Sequence, residues 1–248
     1  KMLEHIARII TDDLDRTVAR LPEKLAIRDA TTQMNFQTLR DCARRMATVL
    51  ARKGIFHQPV AVFLDQSAAS IVSFFGAAYA GNFYTVIDTK MPATRREKIL
   101  QTFQPAVIVT DAKHRNKLTS AEIGTSDVLL YDELLQECVE EDLLARVKQQ
   151  ISPRDILYVL FTSGSTGTPK GVVIGQQSVL EYTDWVQETF HVDEQDVIGN
   201  QAPFYFDNSV LDIYQMAKCG ATLDIIPRSM FIFPIRLLEY VRDHRINM

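Results

Sequence analysis

The chain has 248 residues, 46% of them hydrophobic and 23% charged, with a formal net charge of −4. That is ordinary globular composition, sufficient for a sizeable core and for one large domain or two small ones. Mild acidity without a dense Lys/Arg cluster excludes a nucleic-acid footprint. Three widely separated cysteines (Cys42, Cys138, Cys219) exclude a disulfide framework and a CxxC metal knuckle.

In chain order, Leu3, Ile6, Ile10 and Leu14 share one helical face, predicting a helix to about Leu21. Short strands over Leu25–Arg28 and Gln33–Asn35 flank a turn from Asp29 to Thr32. Phe36, Leu39, Cys42, Ala43, Met46 and Leu50 recur at helical spacing, with Gly54 just past the end. Val60–Leu64 reads as a buried strand. The uncharged run from Gln66 to Ile87 is long enough to span a bilayer. Its Ser67, Ser70, Ser73, Asn82 and Thr85 are polar, however, and Gly81-Asn82 is a helix stop. It is therefore read as a buried helix around Ser67–Ala80 followed by a strand over Phe83–Ile87, with no membrane insertion. Glu4, Arg8, Asp12 and Asp13 interrupt any apolar leader, so a soluble cytoplasmic protein is expected.

Pro92 opens a helix with Arg95, Arg96, Glu97 and Lys98 outward and Ile99, Leu100 and Phe103 inward. Ala106–Thr110 and Val128–Tyr131 read as strands. Glu137–Gln150 reads as a surface helix whose Glu140, Glu141 and Asp142 are solvated charge, ended by Ser152-Pro153. Ile156–Phe161 is a strand leading into a glycine cluster. Strands alternating with helices argue for an α/β fold of mainly parallel sheets flanked by helices. The expected division is a first α/β subdomain over 1–150. Residues 151–248 then carry a strand–loop–strand and the start of a second α/β subdomain.

Four of the ten glycines (Gly164, Gly167, Gly171, Gly175) fall within twelve positions, in and beside Phe161-Thr-Ser-Gly-Ser-Thr-Gly-Thr-Pro-Lys-Gly171. Glycines let backbone N–H groups curl around an anion, hydroxyls add donors, and Lys170 adds countercharge, a chemistry suited to polyphosphate. It is not a Walker A loop, because Gly171 follows Lys170 and Val172–Ile174 reads as strand rather than helix. On composition alone a Ser/Gly hairpin without ligand remains open. The full string, however, resembles the phosphate-binding signature of the adenylate-forming enzymes. Phe75–Asp88 is similar to an upstream segment of that family, with Val86 where the family has proline, and Phe36–Leu39 is similar to its Tyr-x-x-Leu helix start. The resemblance implies that Thr162, Ser163, Gly164, Ser165, Thr166, Gly167 and Lys170 hold the phosphates of ATP, with Mg²⁺ sharing their charge.

A second segment, Asn200–Ser209, contains Phe206-Asp207-x-Ser209. Asp207 stands at the head of a helix over Asn208–Cys219 that stops at Gly220, so it could simply cap that helix. The segment also resembles the motif with which amino-acid-activating members bind the substrate ammonium, implying that role for Asp207 and Phe206. Together with Thr183-Asp184-Trp185, it is most similar to the branch that loads D-alanine onto a phosphopantetheinylated carrier protein for cell-wall teichoic acid modification. A nonribosomal-peptide type of domain is the near alternative. An acyl-CoA synthetase or a non-catalytic anion- or partner-binding half-domain would leave Asp207 incidental.

Other residues are not assigned to a site. The five histidines show no metal spacing and no nearby carboxylate pattern, Cys219 reads as a small buried hydrophobe, and Trp185 as core packing. Asp212 reads as a surface or helix-face carboxylate. A helix over Ile235–Arg245 is expected to turn Leu237, Leu238 and Val241 inward, with Ile246-Asn247-Met248 beginning a strand. In the family the adenine and ribose contacts, a Mg²⁺-binding glutamate and the catalytic lysine come later. The resemblance thus implies an N-terminal portion that is inactive alone, with no catalytic residue assigned here.

Overall fold

The computed structural model describes residues 8–162 and 169–248; Leu3, Ile6 and His5 lie outside them. Helix α1 (Ile10–Arg20) precedes the hairpin β1 (Leu25–Arg28) and β2 (Gln33–Asn35), followed by α2 (Phe36–Arg52), β3 (Pro59–Phe63), α3 (Ala68–Tyr79) and β4 (Phe83–Val86). Next come α4 (Ala93–Phe103), β5 (Val107–Thr110), α5 (Ala112–Arg115), α6 (Ser120–Ile123), β6 (Asp127–Leu130), α7 (Tyr131–Leu134) and α8 (Glu141–Lys148). The remainder is β7 (Ile156–Thr162), β8 (Lys170–Gly175), α9 (Gln176–Phe190), β9 (Val197–Asn200), α10 (Asn208–Cys219), β10 (Thr222–Ile225), a 3-10 turn over Arg228–Ile232, and α11 (Pro234–Asp243).

The strands form a six-stranded sheet in the order β6-β5-β3-β4-β7-β8, parallel except for β8, and a four-stranded sheet in the order β2-β1-β10-β9, parallel except for β2. A boundary near residue 150 does not separate them. Strands β7 and β8 complete the first sheet, while β1 and β2 join the second, where β1 pairs with β10. Hydrogen bonding, not chain order, groups the strands, and β1 finds a parallel partner only in β10.

One core joins both sheets to α1, α2, α3, α9 and α10, and a smaller one packs α4 on the opposite face of the six-stranded sheet. Strand β3 feeds both: Val60 and Val62 enter the first, Ala61 and Phe63 the second. A strand covered on two faces must be apolar throughout, which is why Val60–Leu64 carries no alternation. Helix α3 is enclosed nearly all round, only Ala69 being half-buried, so its lack of charge reflects burial among protein. Its Gly76 lies against α2, where a Cβ would meet Met46 Sδ at 2.7 Å. Gly81 ends it at φ +70. Among the described residues no helix is long and apolar enough to cross a membrane.

Several surface expectations are corrected. Arg96 is buried: it donates to Glu122 at 2.8 Å, to the Met91 carbonyl at 2.9 Å and to the Lys117 carbonyl at 3.0 Å. The helix expected over Glu137–Gln150 is limited to α8, and Glu137, Glu140 and Glu141 are paired with Arg52 and Arg44 of α2. Trp185 is 54% exposed, with its ring near Tyr182 and Phe190 rather than in the core. On α11, Leu238 is 69% exposed while Leu237 and Val241 are half-buried. That helix is held by polar contacts instead: buried Asp224 accepts from Tyr240 Oη and His244 Nδ1, both at 2.7 Å, and from Arg28 Nε at 2.6 Å. Past it, Gly199 donates to the Met248 carbonyl at 2.8 Å, and Asn247 and Met248 donate to the Val197 carbonyl, although Ile246-Asn247-Met248 forms no assigned strand.

Aromatic side chains tie α10 to the six-stranded sheet. Phe74 stacks on Tyr84 with centroids 4.4 Å apart, Phe75 meets Tyr214 edge-on, and the Tyr84 and Tyr214 hydroxyls share a buried 2.7 Å hydrogen bond. Replacing one member strands the other hydroxyl. Tyr214→Phe is therefore expected to cost about 1–3 kcal/mol in urea unfolding, and the double replacement with Tyr84→Phe should recover part of that loss.

Candidate active site

Strands β7 and β8 present the ends of the glycine-rich loop. Thr162 and Lys170 are the last cross-strand pair, and both are exposed. Thr162 Oγ1 lies 3.5 Å from the Lys170 carbonyl, at the limit of a hydrogen bond. Lys170 forms no ion pair among the described residues, so its ammonium is not neutralised by a neighbouring carboxylate there. Ser163, Gly164, Ser165, Thr166 and Gly167 lie outside the described residues. Gly171 sits opposite Phe161, where a Cβ would come within 2.8 Å of Val159 Cγ1 and 3.3 Å of the Phe161 ring. Glycine here lets the side chains of β7 lie across β8.

Next to this hairpin is a cavity of about 760 Å³. Tyr158, Thr162 and Val172 of the hairpin line one side, and Phe206 and Asp207 line another. The last two reach it because the segment after β9 is folded tightly onto α10. Phe206 N donates to the Pro203 carbonyl at 2.9 Å, and Ser209 Oγ donates to the Phe206 carbonyl at 2.7 Å. Asp207 has helical dihedrals (φ −61°, ψ −27°), and its side chain makes no capping bond. The simple cap is thus not the use this carboxylate is put to; it is exposed at the cavity. Tyr158 feels it there: burial foremost, then the negative charge of Asp207, pushes its phenol up to about 12. Lys90 of the segment after β4 and Arg95 of α4 also line the cavity. Both remain exposed there, Arg95 on the outward side that its spacing predicts and Lys90 in the segment before α4.

Asp212, expected on the surface or on the helix face, is half-buried. It accepts from Asn200 Nδ2 at 2.8 Å, and burial pushes its carboxyl up to about 6. Three of the four described histidines have carboxylate partners: His114 Nδ1 is 2.8 Å from Asp111, His57 Nε2 is 3.0 Å from Asp155, and His244 bonds Asp224. Two of these pairs come from distant parts of the chain, which no local spacing reveals. Cys219 is buried as expected, with its thiol on the Gln215 carbonyl. Among the described residues no group of three or more His, Cys, Asp or Glu side chains could hold a metal ion.

The family model for AMP-binding enzymes matches residues 14–248. The chain belongs to that family. Among curated relatives of this AMP-binding enzyme chain, a D-alanine–D-alanyl carrier protein ligase of Staphylococcus haemolyticus is 32% identical over 231 residues, covering 91% of this chain and 44% of the relative. An L-proline–[L-prolyl-carrier protein] ligase of Pseudomonas fluorescens is 26% identical over 246 residues, covering 97% and 49%. The chain thus spans less than half the length of these relatives. A crystal structure of the nonribosomal peptide synthetase FmoA3 bound to α-methyl-L-serine-AMP superposes with a TM-score of 0.86 at 24% identity, covering 97% of this chain and 26% of that one. VinN in complex with L-aspartate gives 0.79 at 18%, covering 98% and 66%. At those identities the likeness establishes the fold: mostly parallel sheets flanked by helices.

The hairpin geometry of this AMP-binding enzyme chain makes Gly171 a sensitive position. Gly171→Ala should force Val159 and Phe161 aside and lower stability by about 1–3 kcal/mol, measured by chemical denaturation.

Proposed function

We propose that the protein activates a small amino acid, D-alanine in the first instance, as its aminoacyl-adenylate, and passes it to a phosphopantetheinylated carrier protein. The observation that carries this reading is the cavity itself, with Thr162 at one side and an Asp207 free of capping duty at another. The identity to a D-alanyl carrier protein ligase supports the choice of substrate and carrier. That resemblance also points to cytoplasmic chemistry serving cell-wall teichoic acid.

A free carboxylate is a poor acyl donor because its leaving group would be oxide. Attack of a carboxylate oxygen on the α-phosphorus of ATP forms the acyl–phosphate bond, and the bond to the β-phosphate breaks, releasing pyrophosphate. Negative charge gathers on the departing phosphates, so donors fixed around them lower the barrier. In this reading Thr162, Ser163, Ser165, Thr166 and Lys170 supply those donors, and Gly164 and Gly167 allow close backbone approach. The ionised Asp207 pairs with the substrate ammonium, and Phe206 walls the same pocket. A plain carboxylic acid would leave that carboxylate without its cation, which is how the pocket rejects it. Mg²⁺ accompanying ATP would share the charge of its phosphates.

Amino-acid-dependent ATP–pyrophosphate exchange by the full-length protein carrying this sequence tests the reading. Asp207→Ala should lower kcat/KM for the amino acid by about a hundredfold, the scale of a lost charge-assisted hydrogen bond to the bound ammonium. Activation of a fatty acid that Asp207→Ala leaves intact would instead favour an acyl-CoA synthetase. Lys170→Ala should raise the KM for ATP about tenfold while barely changing that for the amino acid. The 248 residues assayed alone are expected to show no exchange above background, the remaining half of the relatives' length being required.

A further inference from the structure

We propose that Asp212 is a positioning residue for the amino-acid site, acting through Asn200 to fix the segment that carries Phe206 and Asp207. This inference rests on the reading of the cavity as an amino-acid site. Asn200 is the last residue of β9, and its fully buried side chain has three partners. Its Nδ2 donates to Asp212 Oδ2 at 2.8 Å and to the Ala202 carbonyl at 3.2 Å. Its Oδ1 accepts from Gln66 Nε2 at 2.6 Å, and the same Gln66 nitrogen donates to the Ala202 carbonyl at 3.0 Å.

An ionised carboxylate only accepts, so Asp212 compels the Asn200 amide to turn its NH₂ toward α10 and its oxygen toward Gln66. That orientation clamps Ala202 from two sides. Residues 201–206 then span from a fixed strand end to a fixed helix turn, with Asp207 at their far end. Gln66 follows β3 of the other sheet, so the clamp also sets Asp207 relative to the sheet that bears Thr162. If Asp212 is protonated or removed, nothing enforces the amide orientation. A flipped Asn200 would point its NH₂ at the Gln66 donor and release Ala202.

The groups that face Asp212 make its protonation a usable readout. From α9 it faces Tyr182, whose phenol its negative charge helps push up; from β9 it faces the neutral Asn200; on its own helix the acid one and a half turns earlier is Asp207. None is a cation. Burial therefore dominates, the carboxyl is held near 6, and it is ionised at neutral pH but protonates as the pH falls through about 6.

The test is ATP–pyrophosphate exchange in the full-length protein with D-alanine as probe, measured from pH 5.5 to 7.5, beside thermal melts. Asp212→Ala should raise the amino-acid KM about tenfold at pH 7.5, with kcat and the ATP KM changing less than about threefold. Asp212→Asn, whose amide like a protonated carboxyl can both donate and accept, should show the raised amino-acid KM already at pH 7.5 and lack the further rise that the wild type shows below about pH 6. If Asp212→Ala does not fold, the pH profile of Asp212→Asn decides alone. A uniform loss of kcat, equal rises in both KM values, or the same low-pH rise in Asp212→Asn would each overturn the proposal. Silence at Asp212 with a severe Asp207→Ala defect would overturn this inference only. A wild type without amino-acid-dependent exchange would overturn the reading of the cavity and the inference together.

Discussion

The two sheets keep one geometry because α3 is buried between the elements that must be held together. Its Phe74 reaches Tyr84 of β4 and Phe204 of the segment after β9, and its Phe75 reaches Tyr214 of α10. Each ring buried from water contributes about 2–3 kcal/mol, with some added gain from the edge-on and stacked geometries. Area burial by itself is non-directional. The Tyr84–Tyr214 hydroxyl pair adds the direction, since two buried hydroxyls each need a partner and find it in the other. Helix α10 is thereby fixed against β4, the strand beside β7. The placement of Asp207 relative to Thr162 is a consequence of that aromatic contact.

Polar contacts finish what burial cannot orient. Asp29, at the end of β1, accepts from Ala68 N at 2.9 Å and so satisfies the first turn of α3, whose own Ser67 makes no side-chain cap. The residue just past a strand of the smaller sheet thus caps the helix that joins β3 to β4 of the larger one. Gln66, one residue before Ser67, holds Asn200 of the smaller sheet. These two crossings lie at the carboxyl ends of parallel strands, where open backbone groups and helix N-termini meet, and where α/β proteins place ligands. The cavity beside Asp207 lies at the same ends, of β4 and β7.

Much of this was legible in the sequence. Helices α2, α3 and α10 are bounded by apolar periodicity and by glycines whose positive φ ends the helix, as at Gly81 and Gly220. Strands β3 and β5 are apolar runs between breakers, and they emerge where those runs place them. Strands β9 and β10 were not foreseen, because Val197–Asn200 and Thr222–Ile225 are short and each mixes polar with apolar residues. The assignment of β1 to β10 across nearly two hundred residues has no local trace at all. Buried charge was misread for a related reason. Arg96 and Asp212 each look solvent-facing by residue type, yet their partners Glu122 and Asn200 lie 26 and 12 residues away and become neighbours only in the fold. Trp185 failed in the opposite direction: a large aromatic at helical spacing implies burial, and α9 turns it outward.

The two halves of the cavity differ in how firmly they are held, and the difference suits the proposed chemistry. Asp207 stands on α10, which is pinned by the aromatic cluster, by Ser209 and by the Asn200 clamp; its backbone has little freedom once folded. Thr162 and Lys170 end a hairpin whose second strand is the sheet edge, with Val172 and Val173 about half exposed and ladder bonds to one neighbour only. Recognition of an ammonium group gains from rigidity, because an acid that can swing into water discriminates poorly. A site for departing pyrophosphate gains from the reverse, since donors held too rigidly around a product slow its release. An edge strand beside a clamped helix divides the two requirements between two elements, and the buried α3 keeps them side by side.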